Sequence, residues 1–285
     1  MRIANLSGLA HVLVDESHAV PVSVATGGAF SGSVREVFDR FEEFRDLVEP
    51  LDLSGFPAVR FAEDDLACAV PEPRQVFCVG MNYAKHIAEF GRTREALPGI
   101  FTKFPSCLAG PFDDVPLAGE FMDWEVELVV VIGARASNVA ASEAWDHVAG
   151  LTIGQDITDR PLQRAASGQF CLGKSRRGTG PVGPWVVTAD EVVARDSLAL
   201  GCSLDGEVMQ AGNTADMIYP VAELIELLSS VTDLLPGDLL FTGTPDGVGF
   251  GRDPQRPLRD GEVLESWIEG IGRMRNRCVA ALPPG

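Results

Sequence analysis

The feature that most restricts the fold is the run Glu125-Val126-Glu127-Leu128-Val129-Val130-Val131-Ile132. From Leu128 to Ile132 it is uninterruptedly apolar and rich in β-branched residues. It is far too short to cross a bilayer, so it predicts a strand buried on both faces. In a strand, residues two apart share a face. Glu125 and Glu127 therefore point the same way and Val126 the other. Two carboxylates about 5–7 Å apart on a partly buried face repel unless a proton or a cation lies between them. A hard cation answers that repulsion with oxygen ligands. A strand end whose polar face meets water is the plainer reading of the same two residues.

Around this strand the pattern predicts further short elements. Residues 11–14 and 20–24 read as strands. Ser33 reads as the N-cap of one amphipathic helix that carries Val34, Val37, Phe38, Phe41 and Phe44 and ends near Pro50. Pro71-Glu72-Pro73 closes this part, giving a small N-terminal α/β segment, residues 1–70, and a larger domain, residues 71–285. In the larger part, Val76 to Val79 and residues 151–153 read as strands, and residues 83–90 as a short helix ended by Gly91. Residues 91–105 read as a loop, and 142–148 as another short helix. Asp205-Gly206 marks a hairpin, Pro220 opens a helix through Ser230, and two strands close the chain around Gly270 to Gly272. The order is not a regular βαβ alternation. It predicts an α+β fold with a mixed β core.

Composition narrows the function. The 285 residues are 46% hydrophobic and 22% charged, which is globular. The net charge is −18 with no basic stripe, which excludes nucleic acid and anionic membrane surfaces as partners. A small anionic substrate then needs local positive charge, from a metal or from a few arginines and lysines. No apolar leader follows Met1, and none of the six cysteines forms a C-x-x-C pair, so a cytoplasmic protein with reduced thiols is expected.

Three further places can carry chemistry. Asp156 ends the run before it and is either a third carboxylate beside Glu125 and Glu127 or a turn residue. Three carboxylates without histidine suit Mg²⁺ or Mn²⁺ better than zinc. Thr158 or Asp159 then caps a helix with Pro161 in its first turn. His86 and Glu89, spaced i and i+3, share a helix face. They make either a carboxylate-supported general base or an exposed ion pair. Lys174, in Gly173-Lys174-Ser175-Arg176-Arg177-Gly178, either holds a substrate carboxylate or oxyanion or sits in a solvated loop. Gly168 to Ser175 formally satisfies the phosphate-loop pattern. We reject it because residues 169–172 lack glycine and read as a buried strand.

These pieces occur together in one known order. The chain resembles the fumarylacetoacetate hydrolase family over roughly residues 74–280. The resemblance rests on Val79-Gly80-Met81-Asn82-Tyr83 with His86, Asp123-Trp124-Glu125-Val126-Glu127, and Gly154-Gln155-Asp156-Ile157-Thr158 with Arg160 and Gln163. It continues in Leu172-Gly173-Lys174-Ser175, Gly183-Pro184-Trp185, and Leu235-Pro236-Gly237-Asp238 leading to Phe241-Thr242-Gly243-Thr244-Pro245. The resemblance implies a β-rich mixed-sheet roll, usually dimeric, with Mg²⁺ or Mn²⁺ (Ca²⁺ in crystals) on Glu125, Glu127 and Asp156. It implies that His86 and Glu89 lie on a lid that orders over substrate. It assigns Arg160, Gln163, Lys174 and Thr244, with Tyr83, to substrate or oxyanion contacts. It implies a metal-dependent hydrolase that cleaves a C–C bond in a 2,4-diketo acid of the acylpyruvate type through a metal-stabilised enolate. Decarboxylation or isomerisation of oxaloacetate-like or 2-hydroxyhepta-2,4-diene-1,7-dioate-like diacids is the alternative, and a non-catalytic binding protein on the same fold the second. One departure stands out: family members usually carry an aromatic residue at the place of Arg176 and often another near Thr179. The arginines Arg176 and Arg177 either receive a second substrate carboxylate or face solvent.

Overall fold

A computed structural model describes residues 1–89, 91, 97–165 and 168–281. In chain order its strands are β1 (Arg2–Leu6), β2 (Leu9–Leu13), β3 (His18–Pro21), β4 (Val59–Arg60), β5 (Val76–Gly80) and β6 (Gly99–Thr102). Then come β7 (Leu108–Ala109), β8 (Val115–Leu117), β9 (Met122–Asp123), β10 (Val126–Ile132), β11 (Val148–Gln155) and β12 (Thr158–Asp159). The last are β13 (Gly180–Thr188), β14 (Ala199–Leu204), β15 (Glu207–Asn213), β16 (Leu239–Phe241), β17 (Val263–Ile268) and β18 (Gly272–Ala280). The helices are α1 (Val22–Ala25), α2 (Val34–Asp39), α3 (Phe41–Val48), α4 (Ala84–Glu89), α5 (Arg160–Ala165) and α6 (Val221–Val231).

Among the described residues, the main sheet has the order β4-β3-β2-β1-β13-β11-β10-β16-β5-β6, with β7 paired to β13. A second sheet runs β15-β14-β17-β18-β8. Most pairs are antiparallel, while β16 with β5, β13 with β7 and β18 with β8 are parallel, so the α+β, mixed-sheet expectation holds. The strands before residue 70 extend the main sheet: β1 pairs antiparallel with β13. No described helix is long and apolar enough to cross a membrane.

The strand expected to be buried on both faces is β10, and every residue in it is buried. Its alternation divides the core. Val126, Leu128, Val130 and Ile132 pack with Leu200, Leu264 and Met274 of the second sheet. Val129 and Val131 pack with Phe38, Phe41 and Phe44 of α2 and α3. Burying a side chain of this size stabilises by about 1.5–3 kcal/mol, so this central strand anchors the fold.

Four local expectations are corrected, the first being that residues 99–102, read as part of a loop, form β6 and pair antiparallel with β5. The single helix after Ser33 is two helices, broken at Arg40 (φ −124, ψ 41). The Arg40 guanidinium is committed to Glu36 and Glu43 and lies 4.2 Å from the Phe30 ring centre. Ser33 is the N-cap as expected. Residues 22–24 are helical rather than extended: Pro21 stands at the N-cap, and the Thr26 hydroxyl donates to the Val22 carbonyl to close the turn. Residues 169–172 form a turn rather than a buried strand, with Leu172 exposed. The Asp205-Gly206 hairpin is as expected, both residues having positive φ.

Candidate active site

The main sheet assembles the carboxylates. Val126 pairs with Gln155 across β10 and β11, and one step further the Asp156 N–H donates to the Glu125 carbonyl at 2.9 Å. Asp156 is thus set beside Glu125 at the mouth of the two strands. Glu125, Glu127 and Asp156 are buried, and each offers one oxygen within 4.8 Å of the others. The sequence expected this cluster from spacing and resemblance.

Among the described residues, three cations surround it. Lys174 Nζ lies 2.5 Å from Glu125 Oε2 and 2.5 Å from Asp156 Oδ2. Arg160 Nη2 lies 2.7 Å from Glu125 Oε1 and 2.6 Å from Asp123 Oδ2. Lys103 Nζ donates to Asp156 Oδ1 at 2.8 Å and to the carbonyl of Lys174. Among the described residues Glu127 receives only the Gly243 N–H, at 2.7 Å, and no ammonium or guanidinium pairs with it. The electrostatics follow. Burial pushes the Glu127 carboxyl well above the usual range, and repulsion from Asp156 and Glu125 adds to it. Burial also acts on Glu125, but Lys174 and Arg160 outweigh it and hold that carboxyl at about 2. With all groups ionised, the carboxylates of Asp123, Glu125, Glu127 and Asp156 outnumber the cations of Lys103, Arg160 and Lys174. An all-oxygen, buried set with unneutralised negative charge fits a hard divalent cation.

His86 and Glu89 lie on α4. His86 Nδ1 is 3.0 Å from Glu89 Oε2, and Glu89 Oε1 accepts the Gly247 N–H at 2.7 Å. The pair is not an exposed salt bridge, since His86 is 6% exposed. The backbone of the glycine-rich turn pins Glu89, and Glu89 orients the ring. Part of the expected lid, residues 90 and 92–96, lies outside the described residues.

A cavity of about 160 Å³ joins these groups. Its polar lining includes His86, Glu125, Glu127, Arg160, Gln163 and Lys174, and its apolar walls include Val79, Phe101, Phe170 and Phe250. Thr244 also lines it, but its hydroxyl is engaged in the scaffold, donating to the Val126 carbonyl and accepting from Gln210. Gln163 accepts from Arg160 at 3.2 Å through Oε1, so its NH₂ is what it can present to a ligand. Tyr83 is buried and is not among the lining residues. Asp159 takes the capping role over α5, accepting the Leu162 N–H. The arginines after Lys174 are placed as well. Arg176 pairs with Asp159 at 2.6 Å outside the cavity lining, and Arg177 is exposed. Gly173 permits the Lys174 loop its approach to α5, because a Cβ there would lie 2.4 Å from the Gln163 nitrogen.

Sequence reasoning missed Lys103 and the pairing role of Asp123. A signal existed for the first: a chain of net charge −18 with only Lys85, Lys103 and Lys174 uses its lysines sparingly. Lys103 fell in a stretch read only as loop.

Residues 75–279 match the family model for the fumarylacetoacetate (FAA) hydrolase C-terminal domain. The chain is 40% identical over 247 residues to the mitochondrial oxaloacetate tautomerase FAHD2A of Bos taurus, covering 86% of this chain and 79% of that one. It is similar to a solved structure of a candidate HpcE protein from Mycobacterium smegmatis, at 41% identity and TM-score 0.92, covering 99% and 100% of the two chains. It is also similar to maleylpyruvate hydrolase from Sphingobium sp. SYK-6, solved with manganese (II) ion and pyruvate, at 28% identity and TM-score 0.82, covering 99% and 100%. The chain belongs to the fumarylacetoacetate hydrolase family and is one of its enzymes.

Proposed function

We propose that this enzyme interconverts the keto and enol forms of a small 2-keto acid. The observation that carries the reading is the buried His86–Glu89 pair lining the same 160 Å³ cavity as the carboxylate cluster. Glu125, Glu127 and Asp156 would hold Mg²⁺ or Mn²⁺, which when bound supplies Lewis-acid polarisation of the keto acid. His86, its Nδ1 held by Glu89, takes the proton from the carbon next to the keto group through its other ring nitrogen. The Lys174 ammonium and the Gln163 NH₂ donate toward the oxygen on which charge develops. The phenylalanine walls keep water away from the exchange, which favours proton transfer over hydrolysis. A cavity of this size takes a short acid and leaves little room for a long acyl tail. The tautomerase named among the relatives supports the same chemistry.

C–C hydrolysis of an acylpyruvate is the second reading, with His86 activating water; the manganese and pyruvate of the maleylpyruvate hydrolase structure favour it. One experiment separates the two. With Mg²⁺ or Mn²⁺ supplied, the decay of enol-oxaloacetate is followed by ultraviolet absorbance, and acylpyruvate cleavage by mass. Acceleration of the first without the second supports the proposal. Cleavage of acylpyruvate without acceleration of enol decay replaces it with hydrolysis, and activity on neither removes both.

A further inference from the structure

The cavity's cations can be accounted for one by one. Arg160 is committed to Asp123 and Glu125, and Lys174 to Glu125 and Asp156. Nearby Arg176, outside the lining, is committed to Asp159. Among the described residues the lining contains one more cation, Arg164. On α5, positions 160, 163 and 164 share a face, because residues three and four apart are neighbours on a helix. Arg160, Gln163 and Arg164 accordingly all line the cavity.

Arg164 differs from its neighbours in its partner. Its guanidinium lies 5.0 Å from the Phe250 ring centre, while Arg160 lies 5.8 Å from that same ring. Among the described residues no carboxylate pairs with Arg164. It is exposed, whereas Glu125 and Glu127 of the same lining are buried, so it stands at the cavity rim. A guanidinium already resting against an aromatic ring loses less freedom than a wholly solvated one when it grips a carboxylate with two parallel hydrogen bonds. In a protein of net charge −18, an unneutralised cation at a cavity mouth also offsets the repulsion that an incoming dianion meets.

We propose that Arg164 receives the second carboxylate of a 2-keto dicarboxylate and makes the site selective for diacids over 2-keto monoacids. The proposal rests on the reading of the cavity as a 2-keto acid site. It separates two recognition tasks: the buried cluster takes the 2-keto carboxylate end, and the rim of α5 takes the distal end. Arg176 and Arg177, which the sequence offered for the distal carboxylate, are respectively neutralised by Asp159 and outside the lining.

The test is binding of two unreactive 2-hydroxy acids, malate with a second carboxylate and lactate without one. Calorimetry on the Mg²⁺-supplied protein gives both affinities, for the parent and for Arg164→Gln, Arg164→Lys and the control Arg177→Gln. Malate should bind the parent at least about tenfold more tightly than lactate, as one charge-assisted pair allows. Arg164→Gln should bring that ratio to within about twofold of unity, and Arg164→Lys should restore part of it. In turnover of oxaloacetate, Arg164→Gln should raise KM and leave kcat close to the parent value. An unchanged malate-to-lactate ratio in Arg164→Gln, or an equal loss in Arg177→Gln, overturns the proposal. The two readings fail separately. A collapsed ratio without keto-acid turnover keeps the Arg164 assignment and removes the tautomerase reading. Turnover with an unmoved ratio does the reverse.

Discussion

Lys103 grips Asp156 from inside the protein: its Nζ lies 2.8 Å from Asp156 Oδ1, and both side chains are completely buried. The same ammonium reaches the carbonyl of Lys174, so one side chain fixes both a carboxylate of the cluster and the loop that carries its neighbouring cation. Removing one partner of a buried ion pair leaves the other charge uncompensated, which costs roughly 3–5 kcal/mol. Lys103→Met should therefore lower the midpoint of urea unfolding and weaken Mn²⁺ binding together. A variant with parental stability would show that Lys103 is dispensable to the cluster.

Glu125 and Glu127 should respond differently to the same change. Glu125 bonds to Lys174 and Arg160, so Glu125→Gln strips two buried cations of a partner and should destabilise the metal-free protein. Among the described residues no cation pairs with Glu127 and its burial disfavours the charged form, so Glu127→Gln should leave the metal-free melting temperature equal or higher. Both variants should lose metal affinity by at least about tenfold, since changes to residues merely behind a ligand already cost about 10–100-fold. Thermal melts with and without Mn²⁺ check both halves of this expectation.

Metal binding should release a proton. Burial, with Asp156 and Glu125 adding, raises the pKa of the Glu127 carboxyl, so in the metal-free protein it holds its proton to higher pH than an ordinary carboxylate. An incoming cation must displace that proton. Affinity should rise with pH by up to about tenfold per unit below that raised pKa and level off above it. Calorimetry in two buffers of different ionisation enthalpy measures the proton count. Identical heats in both buffers at mildly acidic pH would contradict the assignment.

His86 and Glu89 should separate chemistry from binding. His86→Asn should reduce kcat by roughly 10²–10⁴-fold, the usual share of a general base, while Mn²⁺ affinity stays close to the parent. Glu89→Gln should cost less in kcat, because the ring keeps one hydrogen-bond partner. Parental turnover in His86→Asn would move the base elsewhere.

Much of the sheet was legible because its signals are local. The alternation in β10, the Asp205-Gly206 turn and the Ser33 cap each need only a few adjacent residues. The break at Arg40 was not legible, since neither glycine nor proline marks it and its cause is a set of contacts to Glu36, Glu43 and Phe30. The carboxylate cluster was legible as two glutamates on one face, while Asp156 was open between a ligand and a turn residue until the resemblance, and then the strand register, set it beside Glu125. Lys103 and Asp123 were hidden because their partners lie 53 and 37 residues away. Arg164 needed one more step, the pairing of the other described cations around it.

The pairing of β1 with β13 carries a practical consequence. A fragment cut at residue 75, where the family match begins, would strip a whole strand from the flank of β13. That flank would then present unpaired N–H and C=O groups along a buried, apolar strand, an invitation to sticky edge-to-edge association. The first residues of the chain act as a selvedge, keeping the sheet that holds the carboxylates from unravelling into its neighbours.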